Sequence, residues 1–426
     1  MEHEEEFLNT FFTQVAQLCT DKAKELIEKE RGSCRQTQMG PWGMLLMHLP
    51  QIAVAEHLYA DLGFLHTKNK GFLRKDNSLR TVYELLKSDL KRVEEMTRGT
   101  NSIGATVAEV SNQLCQYITA KIQLIDFYEK MYNMSINSKA MKYQELLESI
   151  EGITEAHSLS CSHLALTAIK TSLTLECEIL VQLTKAQVEL QHWRFLSTLM
   201  ALYGAQTRMS AWERTLQSKE SWKLGFGTSF LKANQQPALY QWLVKLRSNI
   251  LAKCSLYFHT TLSQQANPGE MRSIMNKQNV DYYHKIQSFQ RKHDVLAVLI
   301  VFDSRGVEDA GPGYRHPRRE PNVTEQFPVV LSCPSAFAQK PSLYLDNVQK
   351  RIKERHAELL AMDKIVYSKN DVCTYAMYNT DPRMTLITVF ESGKQKDKET
   401  HVTSFMTDLC TQIRCNKVYE SLKLSK

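Results

Sequence analysis

The first two-thirds of the chain repeat one pattern, in which apolar side chains recur at every third or fourth position and helix breakers are few. The segment from Phe7 to Ile27 shows it and is predicted to be one helix. The run from Thr171 to Gln217 contains no proline and a single glycine, Gly204. This spacing places apolar residues on one helix face, where they can be buried together. The pattern predicts a bundle of roughly seven or eight helices.

Local signals divide this part into separate helices. The apolar segment Trp42 to Leu65 contains Pro50, which predicts a kink or a break there. The run from Thr171 to Gln217 is predicted to be one long helix or two helices joined end to end. Residues Lys219 to Gln236 are predicted to form a loop. Pro237 suits the first position of the next helix, where a backbone N–H would have no helical partner.

The character of the sequence changes near Asn267 and Pro268. A predicted helix from Val280 to Lys292 is followed by an apolar, β-branched run that is typical of a buried strand. The connections between the last three predicted strands are short enough for antiparallel hairpins. A final helix is predicted from about Thr400 to Leu422. The five predicted strands are Val295–Phe302, Phe327–Ser332, Lys364–Tyr367, Val372–Tyr378 and Met384–Phe390.

The predicted fold is an N-terminal multi-helix bundle followed by a C-terminal five-stranded α/β domain. The bundle is predicted over residues 1–265, the α/β domain over 280–426 and their connection over 266–279. The order helix, two strands, helix, three strands, helix resembles the roadblock/longin group of profilin-like domains. That resemblance implies dimerisation or small-GTPase regulation, an expectation drawn from element order alone.

Motifs that would carry catalytic chemistry are incomplete. The strand Leu299 to Asp303 is similar to a magnesium-binding Walker B strand, but no GxxxxGK[ST] phosphate loop accompanies it. Asp303 followed by Gly306 fits a type I turn, and the turn is the favoured interpretation. Cys161 and His163 have no nearby set of further ligands that would complete a zinc site. We therefore expect no enzymatic activity, no metal and no cofactor.

The charge of the chain and the sequence of its N-terminus indicate whether it binds nucleic acids or enters a membrane. The chain has 53 Lys+Arg against 46 Asp+Glu, and the two signs are mixed along most of it. One of the densest basic stretches, Arg315 to Arg319, holds only three arginines, so no nucleic-acid binding is expected. The acidic N-terminus and short apolar runs predict no signal peptide and no direct membrane insertion. Ten scattered cysteines favour a reducing, cytoplasmic location.

Particular strings of the sequence carry a family resemblance. They resemble the KICSTOR complex subunit 2 family over about Phe11 to Leu422. The strings are Asp21–Lys24 with Glu28–Arg31, Asp126–Tyr132, Leu251–Lys253 with Tyr257–His259, and Gly311–Pro317.

The resemblance implies a non-catalytic scaffold beside three other subunits: kaptin, an FG-GAP repeat protein and a very large seizure-threshold subunit. It further implies tethering of the GATOR GTPase-activating complex to lysosomes. Through that tethering, TOR complex signalling would be inhibited when amino acids or glucose are scarce. The chain would then be cytoplasmic and recruited to the lysosomal surface through its partners. The alternative function is a small-GTPase-directed regulator or a nucleotide-binding enzyme that uses the C-terminal α/β domain.

The segment from Ser304 to Gln326 is the candidate partner-binding region. Long loops inside compact domains are uncommon and are usually functional or disordered. This one holds an aromatic side chain flanked by basic ones, and Tyr and Arg often dominate interfaces. The opposing interpretation is a linker whose tyrosine folds back onto its own sheet. The candidate partner-binding residues are Tyr314, Arg315, His316 and Arg318.

Overall fold

Helices make up most of the described part of the chain as far as Lys292. The computed structural model describes residues 2–34, 40–65, 78–137, 140–216, 236–307, 326–339, 343–392 and 395–423. Within these residues, no helix combines the length and apolar character needed to cross a membrane. The helices of this part are α1 Glu2–Ala16, α2 Thr20–Cys34, α3 Pro41–Ala60, α4 Leu79–Thr97, α5 Ser102–Asn137, α6 Tyr143–Ala156, α7 Thr167–Gln191, α8 Phe195–Leu216, α9 Ala238–Tyr257, α10 His259–Gln265, α11 Pro268–Asn276 and α12 Tyr282–Lys292.

The segment predicted as one helix from Phe7 to Ile27 is two helices, α1 and α2. Leu18 lies between them in the left-handed conformation, with φ of 57°. The backbone N–H of Cys19 donates to the carbonyl of Gln14 at 2.9 Å, and that of Leu18 donates to Val15 at 2.9 Å. These two bonds close the end of α1 in a Schellman arrangement. The prediction was wrong because the apolar spacing continues unbroken through the turn.

The predicted long segment from Thr171 to Gln217 is also two helices, α7 and α8, which fold back on each other. Trp193 ends α7 with φ of 60°, although glycine is the usual residue in that position. The antiparallel helices are linked by Arg208, whose Nε donates to Glu178 at 2.6 Å. One turn away, a Cβ on Gly204 would lie 3.0 Å from the side-chain oxygen of Gln182. The missing side chain of Gly204 therefore lets the two helices approach closely.

Proline has different effects at two helices. α3 continues through Pro50 from Pro41 to Ala60, so the predicted break does not occur. Pro237 caps α9, which begins one residue later at Ala238. The predicted loop from Lys219 to Gln236 lies outside the described residues except for its last residue.

The C-terminal part contains a five-stranded sheet of order β2–β1–β5–β4–β3. Every neighbouring pair is antiparallel, which confirms the two predicted hairpins and the order of strands and helices. The predicted last helix is interrupted at Cys415, which has φ of 61°. The elements are β1 Ala297–Phe302, β2 Val329–Cys333, α13 Ser335–Gln339, α14 Leu343–Glu354, α15 His356–Leu360, β3 Val366–Lys369, β4 Cys373–Asp381, β5 Met384–Glu391, α16 Gln395–Ile413 and α17 Asn416–Glu420.

The two faces of the sheet are buried against different layers. One face, with Leu299 on β1, packs in a cluster with Val348 and Ile352 of α14. The opposite face belongs to the same continuous hydrophobic core as the helices of the N-terminal part. Trp193 marks this junction, because its ring lies 4.3 Å from that of Phe258 and 4.5 Å from that of Phe302. The predicted boundaries at 265 and 280 stay a prediction.

Candidate functional site

The four predicted partner-binding residues, Tyr314, Arg315, His316 and Arg318, lie outside the described residues. The structure does describe where their segment leaves and rejoins the sheet. Ser304 donates to the carbonyl of Gln326 from its backbone N–H at 3.1 Å and from its hydroxyl at 3.2 Å. Residues 304 and 326 are therefore held together at the end of β1. The segment between them starts and finishes at one point of the surface.

Asp303 forms the turn at this point. Its carboxylate accepts from the backbone N–H of Arg305 at 3.2 Å and from the guanidinium at 2.9 and 2.8 Å. Burial alone would raise the pKa of Asp303, but the hydrogen bonds from Arg305 outweigh it and hold that pKa below its ordinary value. The carboxylate of Asp303 is thus paired with Arg305. Its role in the turn explains why an aspartate follows the strand.

Basic side chains from three parts of the chain surround the turn. Arg305 stacks over the ring of Phe327 at 4.9 Å, and Lys353 lies 5.7 Å from the same ring. Arg305 also lies 3.0 Å from the Nε2 of His356. Arg383 donates to the carbonyl oxygens that precede and follow Ser304 in the turn, at 3.2 and 2.7 Å. We call Arg305, Lys353, His356 and Arg383 the basic loop base.

The basic loop base suits recognition of an anionic group. Within the described part of the chain, Asp303 is the carboxylate that pairs with it, and Lys353 is exposed to solvent. Guanidinium groups favour carboxylates because they donate parallel hydrogen bonds. Sequence reasoning missed this cluster because Lys353 and Arg383 lie far from Arg305 along the chain. No local pattern connects them.

One polar network buried inside the helical part contains two carboxylates, Glu56 and Glu176. Glu176 accepts from the hydroxyls of Tyr59 at 2.6 Å and Tyr128 at 3.0 Å, and from Lys121 at 3.1 Å. Lys121 also lies 3.5 Å from Glu56. Burial alone would lower the pKa of Lys121, but the two carboxylates outweigh it and raise that pKa. The lysine therefore stays charged and joins α3, α5 and α7.

Glu56 has its own pair of tyrosine donors. The hydroxyls of Tyr83 and Tyr117 each donate to it at 2.7 Å. Burial has the largest effect on both phenols, and the negative charge of Glu56 has the next largest. Together they raise the pKa of Tyr83 and of Tyr117 well above the ordinary value. These phenols remain protonated donors. The adjoining cavity of about 30 Å³ is far below the roughly 300 Å³ or more of a ligand pocket. The arrangement is a polar network that fixes helix positions.

A second buried network joins the helices to the sheet. Lys253 on α9 is fully buried and lies 2.8 Å from Asp381 at the end of β4. It also donates to the side-chain oxygen of Gln187 at 3.3 Å. The hydroxyl of Tyr257 donates to the same aspartate and lies 2.9 Å from the hydroxyl of Thr380. This network ties the β4–β5 hairpin to α7 and α9.

Arg414 supports the same hairpin from the end of α16. Its guanidinium donates to the carbonyl oxygens of Thr380, at 3.2 Å, and of Asn379. It also lies over the ring of Tyr378 at 4.8 Å. The pairing of β4 with β5 is irregular between Asn379 and Asp381, which turns these carbonyl groups toward the helix. Arg414 therefore holds the β4–β5 hairpin against the end of α16.

In residues 2–423, apart from the gaps given above, no three or more of His, Cys, Asp and Glu are grouped so that they could hold a metal ion. His157, close in sequence to Cys161, has its Nε2 2.8 Å from the side-chain oxygen of Gln123. Among the described residues, a groove of about 470 Å³ is lined by side chains of α5: Asp126, Glu129, Lys130, Asn133 and Met134.

Comparison with known proteins tests the resemblance seen in the sequence. The family described as KICSTOR complex C12orf66 like matches residues 1–426. KICSTOR subunit 2 of Danio rerio is 34% identical over 431 residues, which cover 98% of this chain and 95% of that protein. KICSTOR subunit 2 of Xenopus laevis is 35% identical over 437 residues, which cover 99% and 96%. The predicted resemblance is confirmed, and the chain belongs to the KICSTOR complex C12orf66-like family.

Proposed function

We propose that this chain is a non-catalytic scaffold subunit of a KICSTOR-like complex. The family match over all 426 residues carries the proposal. The alignments also cover 95% and 96% of the two curated relatives, so the likeness is not confined to one module. Proteins this similar over their whole length share a fold and have corresponding surfaces available for assembly.

The proposed partners are kaptin, the FG-GAP repeat protein and the very large seizure-threshold subunit, together with the GATOR complex. The assembly tethers GATOR to lysosomes and supports inhibition of TOR complex signalling when nutrients are withdrawn. In this account the chain is cytoplasmic and reaches the lysosomal surface through its partners.

The state of the ionisable side chains supports a non-catalytic role. The carboxylate of Asp303 is engaged by Arg305. The buried phenols of Tyr83 and Tyr117 donate to Glu56, and their raised pKa values keep them protonated. These groups hold elements of the fold together rather than stand free to react.

The segment that carries Tyr314, Arg315, His316 and Arg318 is proposed as one docking region of the scaffold. Support comes from its attachment point, because both ends emerge beside the basic loop base. A segment that contains arginine and tyrosine and is attached beside a cationic surface suits a partner with an apolar and acidic surface.

Affinity purification of the tagged full chain from cells, followed by quantitative mass spectrometry, tests the proposal. KICSTOR and GATOR components are expected as stoichiometric companions. Lysosomal staining of the chain is expected to disappear in cells that lack the largest KICSTOR subunit. Recovery of the chain without those components under gentle lysis would reject the scaffold function, and persistent lysosomal staining would reject recruitment through partners.

A second candidate function is favoured by the sheet. We propose that residues 280–426 form a roadblock/longin-like domain packed beside a helical domain of residues 1–265, and that it contacts a small GTPase. The confirmed order of strands and helices supports this likeness. A thermal-shift series with guanine nucleotides and Mg²⁺ separates a contact with a GTPase from nucleotide binding by the chain itself. Only the latter raises the Tm in a saturable way.

A further inference from the structure

Strand β2 lies at one edge of the sheet and, among the described strands, pairs with β1 alone. An edge strand offers unpaired backbone groups to any extended chain, and proteins block such edges with charges, prolines, bulges or a covering element. No charged residue occurs from Phe327 to Gln339, and Pro328 and Pro334 lie just outside β2. The strand at the other edge, β3, ends in the exposed Lys369, which pairs with Glu399 at 3.3 Å. The edge of β2 therefore depends on protection of another kind.

The pairing of β2 with β1 contains a bulge. The register shifts between Ile300 and Val301, which leaves Val330 on β2 without a residue opposite it. The extra residue of a β-bulge is not paired by the neighbouring strand. The carbonyl of Val330 instead accepts a hydrogen bond from outside the sheet, from the hydroxyl of Thr260 on α10 at 2.7 Å. This bond attaches α10 to the edge strand.

The contacts that hold α10 lie near the protein surface. None of its seven residues is buried. Leu262 is partly buried against the main hydrophobic core, and the ring of His259 stacks on that of Tyr283 in α12 at 3.9 Å. A helix of this length is not stable by itself in water. Because segments with few buried apolar side chains open more readily than the whole protein unfolds, α10 is expected to open locally.

The backbone can bend at both ends of α10. Phe258, with φ of −102° and ψ of 20°, interrupts the helix before it, and Ala266 after it is extended. The flanking parts are fixed independently. Phe258 is buried and stacks with Trp193 at 4.3 Å, while Asn267 begins α11 with a capping box that includes Glu270. α10 can therefore move away from β2 while α9 and α11 stay in place.

We infer that α10 is a displaceable cover over the edge strand β2, with Thr260 as its latch. In the closed position, α10 keeps other strands away from this edge. When α10 moves away, β2 pairs with an extended strand of another polypeptide. The β2 strand of a second copy fits this edge, because pairing two uncharged strands brings no like charges together. The cover therefore controls whether two copies of this chain pair through their sheets, a property beyond the proposed function.

Hydrogen exchange of the full-length chain tests the opening of α10. The amides of α10 are expected to exchange at least about tenfold faster than those of the second half of α9, from Leu251 to Tyr257. The amides of β2 that do not face β1 should exchange in step with those of α10. Equal rates in α10 and α9 would mean that α10 opens only when the protein unfolds, and the inference would then fail.

Thr260→Val tests the latch, because it removes the hydroxyl and keeps a branched side chain of similar size. The loss of one hydrogen bond is expected to raise exchange in α10 and β2 about fivefold. Thr207→Val on α8 is the matched control, since that hydroxyl donates within its own helix, to the carbonyl of Tyr203 at 3.1 Å. It should leave the exchange of both segments unchanged. Unchanged exchange in Thr260→Val would show that Thr260 is not the latch.

Sedimentation velocity of the purified chain tests what the cover prevents. Thr260→Val combined with Leu262→Ser removes both the latch and the partly buried leucine, so α10 should be displaced. The sedimenting mass of this double variant is expected to rise above that of the parent as concentration increases. Adding Ser332→Lys places a charge on the edge of β2 and should return the mass to the parent value.

Two results of this experiment would overturn the inference. One is a double variant whose α10 exchanges rapidly but whose mass stays that of the parent, and the other is association that persists after Ser332→Lys. Circular dichroism confirms that each variant is folded, and the single variant Thr260→Val decides the question if the double variant is not. Because only the purified chain is used, these results do not depend on whether the proposed function holds.

Discussion

The Nζ of Lys253 lies 2.8 Å from a carboxylate oxygen of Asp381, in the interior between helix α9 and the β4–β5 hairpin. Lys253 is completely shielded from solvent, and Asp381 is nearly so. The pair places two opposite charges where the helical part of the chain meets its sheet. The junction therefore depends on polar contacts as well as on the apolar core around Trp193.

Removing one member of this pair should destabilise the protein strongly. Lys253→Met leaves the Asp381 carboxylate buried without its cation, which costs about 3–5 kcal/mol in the free energy of unfolding. Lys253→Met combined with Asp381→Leu should recover most of that loss, because no charge is then stranded. Urea denaturation provides the measurement. Lys350→Met is the control, since that lysine is 74% exposed and its Nζ lies 4.0 Å from Glu354, a longer distance than in the buried pair. A loss below about 1 kcal/mol for Lys253→Met would contradict the buried pairing.

The turn at Asp303 predicts a dependence on pH. The folded-state pKa of this carboxyl is lowered by Arg305, so its contribution to stability is present above the unfolded pKa of about 3.9. The contribution is lost as pH falls through the folded pKa. Because Arg305 is 41% exposed, the effect should stay below about 1 kcal/mol.

Urea midpoints of the parent and of Asp303→Asn, measured between pH 7 and pH 3, test this dependence. The parent should be the more stable at pH 7, and the difference should narrow below about pH 4. A difference that widens on acidification would show that the sign is wrong.

Trp193 combines a left-handed backbone with a stacked ring. Trp193→Ala removes the contacts with Phe258 and Phe302 and should cost about 3–5 kcal/mol. Trp193→Gly removes the same ring but suits a φ of 60°, so it should be more stable than the alanine variant by about 1 kcal/mol. Denaturant unfolding of the two variants gives the comparison. An alanine variant that is the more stable would argue against the left-handed turn.

Most helix positions were predictable, whereas several turns were not. Apolar periodicity identified the helices and the strand run at Val295 to Phe302, because burial imposes it directly. The breaks at Leu18 and Cys415 were missed, and the break at Trp193 was only one of two alternatives, since non-glycine residues in the left-handed conformation carry no compositional signal. In each case the apolar side chain is partly or fully buried and maintains the helical spacing across the break.

The polar sites were harder to predict than the fold. A lysine in a helix is ordinarily exposed, so nothing in the sequence indicated that Lys121 and Lys253 are buried. Their carboxylate partners come from distant segments, as do the members of the basic loop base. Family resemblance was readable from short strings because it needs no knowledge of which residues meet.

The segment between Ser304 and Gln326 supports a prediction about partners. Tyr314→Ala together with His316→Ala should weaken capture of partner subunits while leaving the Tm nearly unchanged. Pull-down from co-expressing cells and thermal melts give the two readings, with Leu159→Ala as a control at an 89% exposed leucine. Unfolding of the double variant would mean that the segment is structural, and undiminished capture would mean that it is a linker.

The central claim is that this chain is built into a KICSTOR-like complex. The most direct measurement is native mass spectrometry of the full-length chain co-purified with kaptin, the FG-GAP repeat protein and the very large subunit. We expect one assembly in which the 49.1 kDa chain is present in a fixed ratio to the other three. Detection of the chain only by itself, while the other subunits assemble without it, would mean that it is not a subunit of this complex.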